Sequence, residues 1–322
     1  MDKIRISPLK EADYPEMVKV CDVSFNKPVT DPTHPDFFSH YFDKEPSYRH
    51  SDTLVLKRGK RIISALTILK RKIILDGVKI PAGCIANVCT LPEERRKGYI
   101  RLLMEKSVEV MRQKGFQLGF LLGRPELYGR FGWENITGKS IEAYNPLSSG
   151  SGHTASIRKA AGHDIDKIKS CYDKNYARLN GFFERSEKYW KNFLIKFRSL
   201  YLGEFGVFII EKDGSPRGYA CIDEKSKTVH EIFFAGKPES GYFFAVYDFL
   251  KAGSLKLNYY DPCYTGELEK SFGKITCAEI NHKMFILPSG KLISGNTDID
   301  TAKRLKKMFG EKNYTFSLCD KF

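Results

Sequence analysis

The sequence predicts a mixed α/β fold made of two compact domains, each a curved sheet flanked by helices. Its 322 residues exceed the length of one ordinary domain. Hydrophobic residues make up 42% and aromatic residues 13% of the chain, which is enough apolar material for two cores. Short apolar runs bounded by turn residues alternate with amphipathic stretches, as expected for strands interleaved with helices.

The composition excludes several classes of protein. The apolar content argues against a disordered chain. The chain contains no uninterrupted run of eighteen apolar residues, so a transmembrane helix is not predicted. The N-terminus is charged and strand-like and has no secretory signal, so we expect a cytoplasmic protein that does not associate with membranes. Eight scattered cysteines form no C-x-x-C pair and no zinc-like cluster with histidine, so neither a metal site nor a disulfide framework is predicted.

In the first half, each predicted element follows from a local pattern. Helical spacing of apolar residues predicts a first helix at 11–25, and the Asp76-Gly77 pair predicts a tight hairpin. The predicted strands are 54–56, 62–69, 73–75, 78–80, 84–91 and 116–122, followed by a last strand region that ends at Tyr144. Helices are predicted at 99–114 and, in short form, at 126–130.

A stretch rich in Gly and Ser at 145–154 predicts the boundary between the two halves. The second half repeats the pattern of the first less strongly. Its predicted helices are 164–178, 186–196 and 241–252, and its predicted strands are 205–212, 217–223, 229–234, 255–260 and 275–287. An amphipathic helix at 302–309 and a short tail end the chain.

The most informative segment is a strand that enters a basic turn containing one glycine, from which a helix begins. Backbone N–H groups at the start of a helix have no intrahelical acceptor and attract phosphate. Gly98 allows close approach of an anion, and the turn adds positive charge from Arg95, Arg96, Lys97 and Arg101. It fits neither the Walker nor the Rossmann glycine pattern.

Arg95-Arg96-Lys97-Gly98-Tyr99-Ile100, followed by a helix, a strand and Leu127-Tyr-Gly-Arg-Phe-Gly-Trp133, resembles the GCN5-related N-acetyltransferases (GNAT). Ile100 departs from the small residue usual at the end of that turn. The order of segments is most similar to the enhanced-intracellular-survival (Eis) acetyltransferases. The resemblance implies tandem GNAT-like acyl-CoA N-acyltransferase domains, the second degenerate. It divides the chain into an acetyltransferase domain at 1–147, the degenerate domain at 153–287 and a C-terminal helix and tail at 288–322.

The resemblance also implies a role for individual residues. Tyr128 corresponds to the general acid and the carboxylate of Phe322 to the general base of a direct acetyl transfer from acetyl-CoA to a small amine. Gly123 and Arg124 would lie beside the thioester. The remaining residues expected to contact the co-substrate are Val88, Cys89, Thr90, Arg95, Arg96, Lys97, Gly98, Tyr99, Ile100 and Arg101.

Several alternatives stay open. Tyr128 could pack its ring beneath the Phe131–Trp133 turn, and Cys89 could be a buried small residue. His34, His40 and His50 lie in a loop-rich stretch, 26–52, that could line an acceptor pocket. The whole chain could be a non-catalytic acyl-CoA-binding or regulatory protein, or a homo-oligomer. The formal charge of +14 and a basic segment at 303–307 suit nucleic acid, but no motif that reads nucleic acid accompanies them.

Overall fold

The computed structural model describes residues 3–25, 37–75, 77–147, 154–201, 203–258, 261–287, 292–294 and 297–299. Twelve of its strands form one sheet. The strands of the first half are Ile4–Pro8 (β1), Thr53–Arg58 (β2), Arg61–Leu75 (β3), Val78–Thr90 (β4), Leu118–Leu122 (β5) and Glu134–Pro146 (β6). Those of the second half are Ala155–Lys159 (β7), Gly206–Lys212 (β8), Ser215–Asp223 (β9), Thr228–Phe234 (β10), Ser254–Leu257 (β11) and Phe272–Ile286 (β12). Leu292–Ser294 (β13) and Thr297–Ile299 (β14) pair separately.

The helices repeat in the same order in each half. The first half has Tyr14–Phe25 (α1), Phe37–Lys44 (α2), Tyr99–Gln113 (α3) and Pro125–Tyr128 (α4). The second half has Ile165–Tyr176 (α5), a π-helix at Tyr189–Tyr201, Ser240–Leu250 (α6) and Pro262–Ser271 (α7). None of the described helices is long and apolar enough to span a bilayer.

The two halves exchange their last strands. The sheet order is β1-β2-β3-β4-β5-β12-β6-β11-β10-β9-β8-β7, so β12 of the second half lies between β5 and β6. Strand β6 in turn pairs with β11 of the second half, Ser254 opposite Tyr144. Read from either edge of the sheet, five strands of one half are followed by the last strand of the other half. The repeated order and the exchange give the chain a tandem fold with a continuous sheet.

Long strands replace some of the predicted pairs of short ones. The predicted strands 62–69 and 73–75 are one strand, β3, and 78–80 and 84–91 are one strand, β4. The charged run Lys70-Arg71-Lys72 does not interrupt β3, because the buried Arg71 guanidinium forms two hydrogen bonds with the carboxylate of Glu45. Pairing also continues across the junction, where Ile74 donates its N–H to Phe182 at 2.8 Å.

Two helices were not predicted, and one prediction has different bounds. Helix α2 lies within the stretch that we expected to be loop-rich, and α7 was missed although Asp261-Pro262 is a recognisable start signal. The Asp261 side chain accepts a hydrogen bond from the N–H of Cys263 at 3.0 Å. The helix predicted at 186–196 begins three residues later and continues to Tyr201 with π geometry.

Candidate active site

A gap opens between β4 and β5 where their parallel pairing stops. The ladder joins Ala82–Ile85 to Leu118–Leu121. Immediately afterwards β4 carries a bulge, in which Asn87 has a φ of +53° and the register against β3 shifts. A bulge bends its strand and re-aims the residues that follow. The final residues of β4 therefore leave β5, and their backbone edge faces the gap.

The predicted residues Val88, Cys89 and Thr90 lie on this edge. The Thr90 hydroxyl is 2.8 Å from that of Ser64, and the Ser64 hydroxyl donates to the Cys89 carbonyl at 2.6 Å. The Cys89 thiol is buried, 3.7 Å from the Cys21 thiol. These side chains are engaged in the interior, so the edge of β4 offers backbone groups to a ligand.

The basic turn between β4 and α3 contains two residues in the left-handed conformation. Arg96 has a φ of +66° and Gly98 a φ of +82°, and α3 begins at Tyr99. Glycine adopts this left-handed conformation without steric cost. No heavy atom lies within 4 Å of the position that a Cβ on Gly98 would take, so the space beside the turn is open. The first N–H groups of α3 have no intrahelical acceptor.

Three of the four cations at the turn and the start of α3 have partners. Arg95 donates to the carbonyl groups of Ser24 and Thr90, at 2.9 and 3.3 Å, and Lys97 forms an ion pair with Glu94 at 2.9 Å. Arg101 is exposed and pairs with Glu105 one helical turn away. The Arg96 side chain is exposed and has no hydrogen-bond or ion-pair partner in the described part of the chain. Arg96 is therefore the cation of the turn that is most available to a phosphate.

A buried acidic residue supports the turn from below. Glu94 is 4% exposed and accepts two hydrogen bonds from Arg58, both at 2.7 Å. Arg58 also donates to the Tyr99 hydroxyl at 2.7 Å, while Ile100 packs half-buried against the core. The hydrogen bonds from Lys97 and Arg58 lower the pKa of Glu94. Sequence reasoning missed this support, because Arg58 lies on β2, 36 residues before Glu94.

Tyr128 lies at the mouth of the gap, at the end of α4. Arg124 precedes this short helix, and its carbonyl accepts the N–H of Tyr128 at 3.1 Å. The Tyr128 ring packs against Gly123, the residue that follows β5. Burial raises the pKa of Tyr128, and the nearby Arg124 opposes the shift. The phenol therefore stays protonated at neutral pH, as a proton donor must.

The second half repeats this arrangement, but one of its own carboxylates occupies the start of the corresponding helix. Parallel pairing of β10 with β11 is limited to Thr228 and Val229, and a register shift follows at His230. At the start of α6, where the first half has its basic turn, Ser240 donates its N–H and its hydroxyl to the carboxylate of Glu267, at 2.9 and 2.5 Å. A carboxylate of the chain itself thus takes the position of an external anion at this helix start.

Several predicted features lie outside the described residues. These are Phe322, the helix predicted at 302–309, the basic segment 303–307, His34 and most of the predicted linker. His50 is described, and it stacks on Tyr14 with ring centroids 4.6 Å apart.

Comparison with known families identifies the first half. Residues 5–136 match the family model of the acetyltransferase (GNAT) domain. This segment is a GNAT domain. The match spans the bulged strand β4, the basic turn and α4, so the gap described above lies within the GNAT domain.

Solved structures extend the likeness to the second half. A probable N-acyltransferase from Enterococcus faecalis aligns with 90% of this chain and 74% of its own, at 15% identity and a TM-score of 0.69. Eis1 from Mycobacterium abscessus aligns with 89% of this chain and 74% of its own, at 13% identity and a TM-score of 0.61. N-myristoyltransferase from Saccharomyces cerevisiae, with bound myristoyl-CoA, aligns with 89% of this chain and 78% of its own, at 10% identity and a TM-score of 0.53. At these identities the likeness concerns the fold, a GNAT domain followed by a GNAT-like half. Among curated protein sequences, none matches this chain.

Proposed function

We propose that this protein is an acetyl-CoA-dependent N-acetyltransferase that transfers an acetyl group to a primary amine by direct attack. The observation that carries the proposal is the combination of three features in the GNAT domain. They are the free edge of β4 after the Asn87 bulge, the open left-handed turn at Gly98, and a half-buried tyrosine at the mouth of the gap.

The residues divide into binding and chemical roles. The N–H groups at the start of α3 and the exposed Arg96 would hold the pyrophosphate of the co-substrate, with Arg101 further along the helix. The backbone of Val88–Thr90 would pair with the pantetheine amides as an added strand pairs with a sheet edge. Gly123 and Arg124 would flank the thioester. Lys97 and Arg95 would act indirectly, by fixing the shape of the turn.

Tyr128 would supply the proton that the reaction needs. A neutral amine attacks the thioester carbonyl, so that a C–N bond forms and the C–S bond breaks. The departing thiolate takes the phenolic proton of Tyr128, whose raised pKa keeps that proton in place. The proton lost by the amine needs an acceptor, and we retain the C-terminal carboxylate of Phe322 as the proposed base.

Release of free CoA from acetyl-CoA, followed over a panel of small and polymeric amines, tests this function. We expect CoA release that depends on an amine. Tyr128→Phe should lower turnover on the order of 10²-fold with little change in acetyl-CoA affinity. Gly98→Asp should weaken acetyl-CoA binding at least about tenfold, because it places a carboxylate beside the phosphate position. Tight acetyl-CoA binding without amine-dependent release would instead favour a non-catalytic acyl-CoA-binding protein.

A further inference from the structure

A large cleft lies between the two halves, away from the gap. Its volume is about 970 Å³, which suits a ligand the size of a small metabolite. One wall is formed by the middle of β3 and the start of β4, and the opposite wall by α5 and the segment that leads into the π-helix. Lys79 and Pro81 on β4 mark its position in the GNAT domain.

The cleft is distinct from the candidate active site. Pro81 and Cys89 lie on the same strand, eight positions apart, which corresponds to about 26 Å at 3.3 Å per residue. The cleft is at the amino-terminal end of β4, whereas the gap and the basic turn are at its carboxyl-terminal end. A ligand in the cleft would therefore lie apart from the basic turn and Tyr128.

Four lysines with exposed or partly exposed side chains surround the cleft. The exposed fractions of Lys70, Lys72, Lys79 and Lys169 are 51%, 58%, 47% and 33%. Three come from the GNAT domain, and Lys169 comes from α5 of the second half. An ammonium group has three N–H donors. Each of these lysines forms one ion pair.

The lysines around the cleft outnumber the carboxylates that form ion pairs with them. Glu184 is shared by Lys72 and Lys79, at 3.2 and 2.5 Å. Asp173 serves Lys169 on the second wall. The carboxylate near Lys70 is that of the buried Asp52, 3.5 Å away, which also pairs with Lys114 at 3.0 Å. Positive charge is therefore incompletely neutralised around the opening.

The floor of the cleft contains paired guanidinium groups and aromatic rings. The Arg71 guanidinium is fixed between the Glu45 carboxylate and the Tyr189 ring, with the ring centroid 5.0 Å away. Arg185 is fully buried and forms a bidentate ion pair with Glu231. These internal pairs occupy the two guanidinium groups, so the partly exposed lysines at the rim are the cations that can meet a ligand. The rings of Tyr176 and Tyr189 offer an apolar surface beside them.

We propose that this cleft binds a small organic polyanion that carries at least two phosphate or carboxylate groups. Lysine ammonium groups are compact point charges that suit such ligands, and the aromatic floor suits their carbon skeleton. Such a ligand would bridge Lys72 and Lys79 of the GNAT domain to Lys169 of the second half, and so brace the junction between the halves.

Calorimetric titration of the full chain tests this site with two probes, inorganic tripolyphosphate and citrate. Saturating CoA is present throughout, so that the basic turn is excluded as a second site. We expect at least one probe to bind one-to-one, and the tighter probe shows whether the cleft prefers phosphate or carboxylate. The variant Lys72→Gln/Lys79→Gln should weaken binding at least tenfold. The control variant Lys106→Gln/Lys212→Gln removes the same charge elsewhere and should change binding less than twofold.

A third variant should change probe binding in the opposite direction. Glu184→Gln removes the carboxylate that competes for Lys72 and Lys79, so probe binding should become tighter, a result that misfolding cannot produce. Absence of binding by both probes at millimolar concentration would overturn the proposal. Equal weakening in the two lysine variants would overturn it too, because binding would then reflect net charge alone. Unchanged or weaker binding in a folded Glu184→Gln protein would also contradict it.

Discussion

The ring of Tyr128 occupies the space that a side chain on Gly123 would need. An ideal Cβ on Gly123 would lie 2.6 Å from Cδ2 of Tyr128 and closer still to Cε2. Real Cβ atoms do not approach neighbours this closely, so glycine at 123 allows the phenol to lie against the end of β5. The proposed proton donor is thus positioned by the residue that has no side chain.

Replacement of Gly123 by alanine should therefore impair catalysis without removing a catalytic group. The added methyl group must displace the Tyr128 ring, and we expect turnover to fall about tenfold or more, because displacement of a reacting group is costly. Acetyl-CoA affinity should change little. Gly129→Ala is the matched control, since no heavy atom lies within 4 Å of its Cβ position and its φ is −57°. Steady-state kinetics in which the two variants behave alike would show that Tyr128 is not positioned in this way.

The ion pair beneath the basic turn gives a prediction about binding. Arg58→Ala leaves the buried Glu94 carboxylate without its bidentate partner, so the turn should lose its shape and acetyl-CoA affinity should fall about tenfold. Arg61→Ala is the control, because Arg61 pairs with Glu93 and both side chains are more than half exposed. Calorimetry on both variants distinguishes the two ion pairs. Equal acetyl-CoA affinities of the Arg58→Ala and Arg61→Ala variants would mean that the turn keeps its shape without Arg58.

The number of acetyl-CoA molecules bound per chain tests whether Glu267 already occupies the start of α6. Because Glu267 already caps α6 through Ser240, we expect one acetyl-CoA per chain in a calorimetric titration. Glu267→Ala should lower the free energy of unfolding by about 1 kcal/mol, the usual cost of losing a helix cap. The neighbouring exposed Glu269 serves as control, since its replacement by alanine should be nearly neutral. Two binding sites in the wild-type chain would contradict this account of the second half.

Acid should weaken the second half through Asp164. Hydrogen bonds from Arg158 and from the Ala161 N–H lower the pKa of Asp164 to about 2, whereas an unfolded aspartate titrates near 3.9. A lowered pKa stabilises the fold above pH 4, and that contribution is lost as pH falls from about 4 to about 2. Because Arg158 is partly exposed, we expect the lowered pKa of Asp164 to contribute roughly 1–2 kcal/mol to the free energy of unfolding.

Denaturant unfolding at several pH values measures this contribution. The stability difference between wild type and Asp164→Asn should be largest near pH 6 and should shrink as pH falls below 4. Asp13→Asn, at a partly buried pair with Lys57, is the control. A difference for Asp164→Asn that is independent of pH would assign the effect to packing instead of charge.

Local sequence patterns predicted the parts of the fold that depend on local physics. The start of α3 at Tyr99 was predicted from its glycine and its apolar stripe, and the structure confirms it. Helix α2 was not predicted, because it owes its burial to distant partners such as Phe193, 5.5 Å from the Tyr41 ring. The continuity of β3 through Lys70–Lys72 likewise depends on Glu45, which no local pattern links to Arg71.

In the candidate site, too, local sequence predicted some features, whereas others depend on residues distant in sequence. The motif from Arg95 to Ile100 predicted a phosphate site at the start of α3, which stays a prediction, and it lies within residues 5–136, which match the GNAT family. It did not indicate which cations are free, because Arg95 and Lys97 are engaged by Ser24, Thr90 and Glu94 only after folding. Nor could it reveal the cleft at Lys72 and Lys79, whose second wall comes from α5.

The exchange of β6 and β12 has a consequence for how the protein is made. Strand β5 of the GNAT half pairs on its outer edge with residues 283–286, which a ribosome adds long after β5 itself. At about 5–20 residues per second, the nascent GNAT half waits on the order of ten seconds with that edge open. Open strand edges pair readily with other chains. Synthesis must therefore reach β12 before the older half of the protein has its complete sheet.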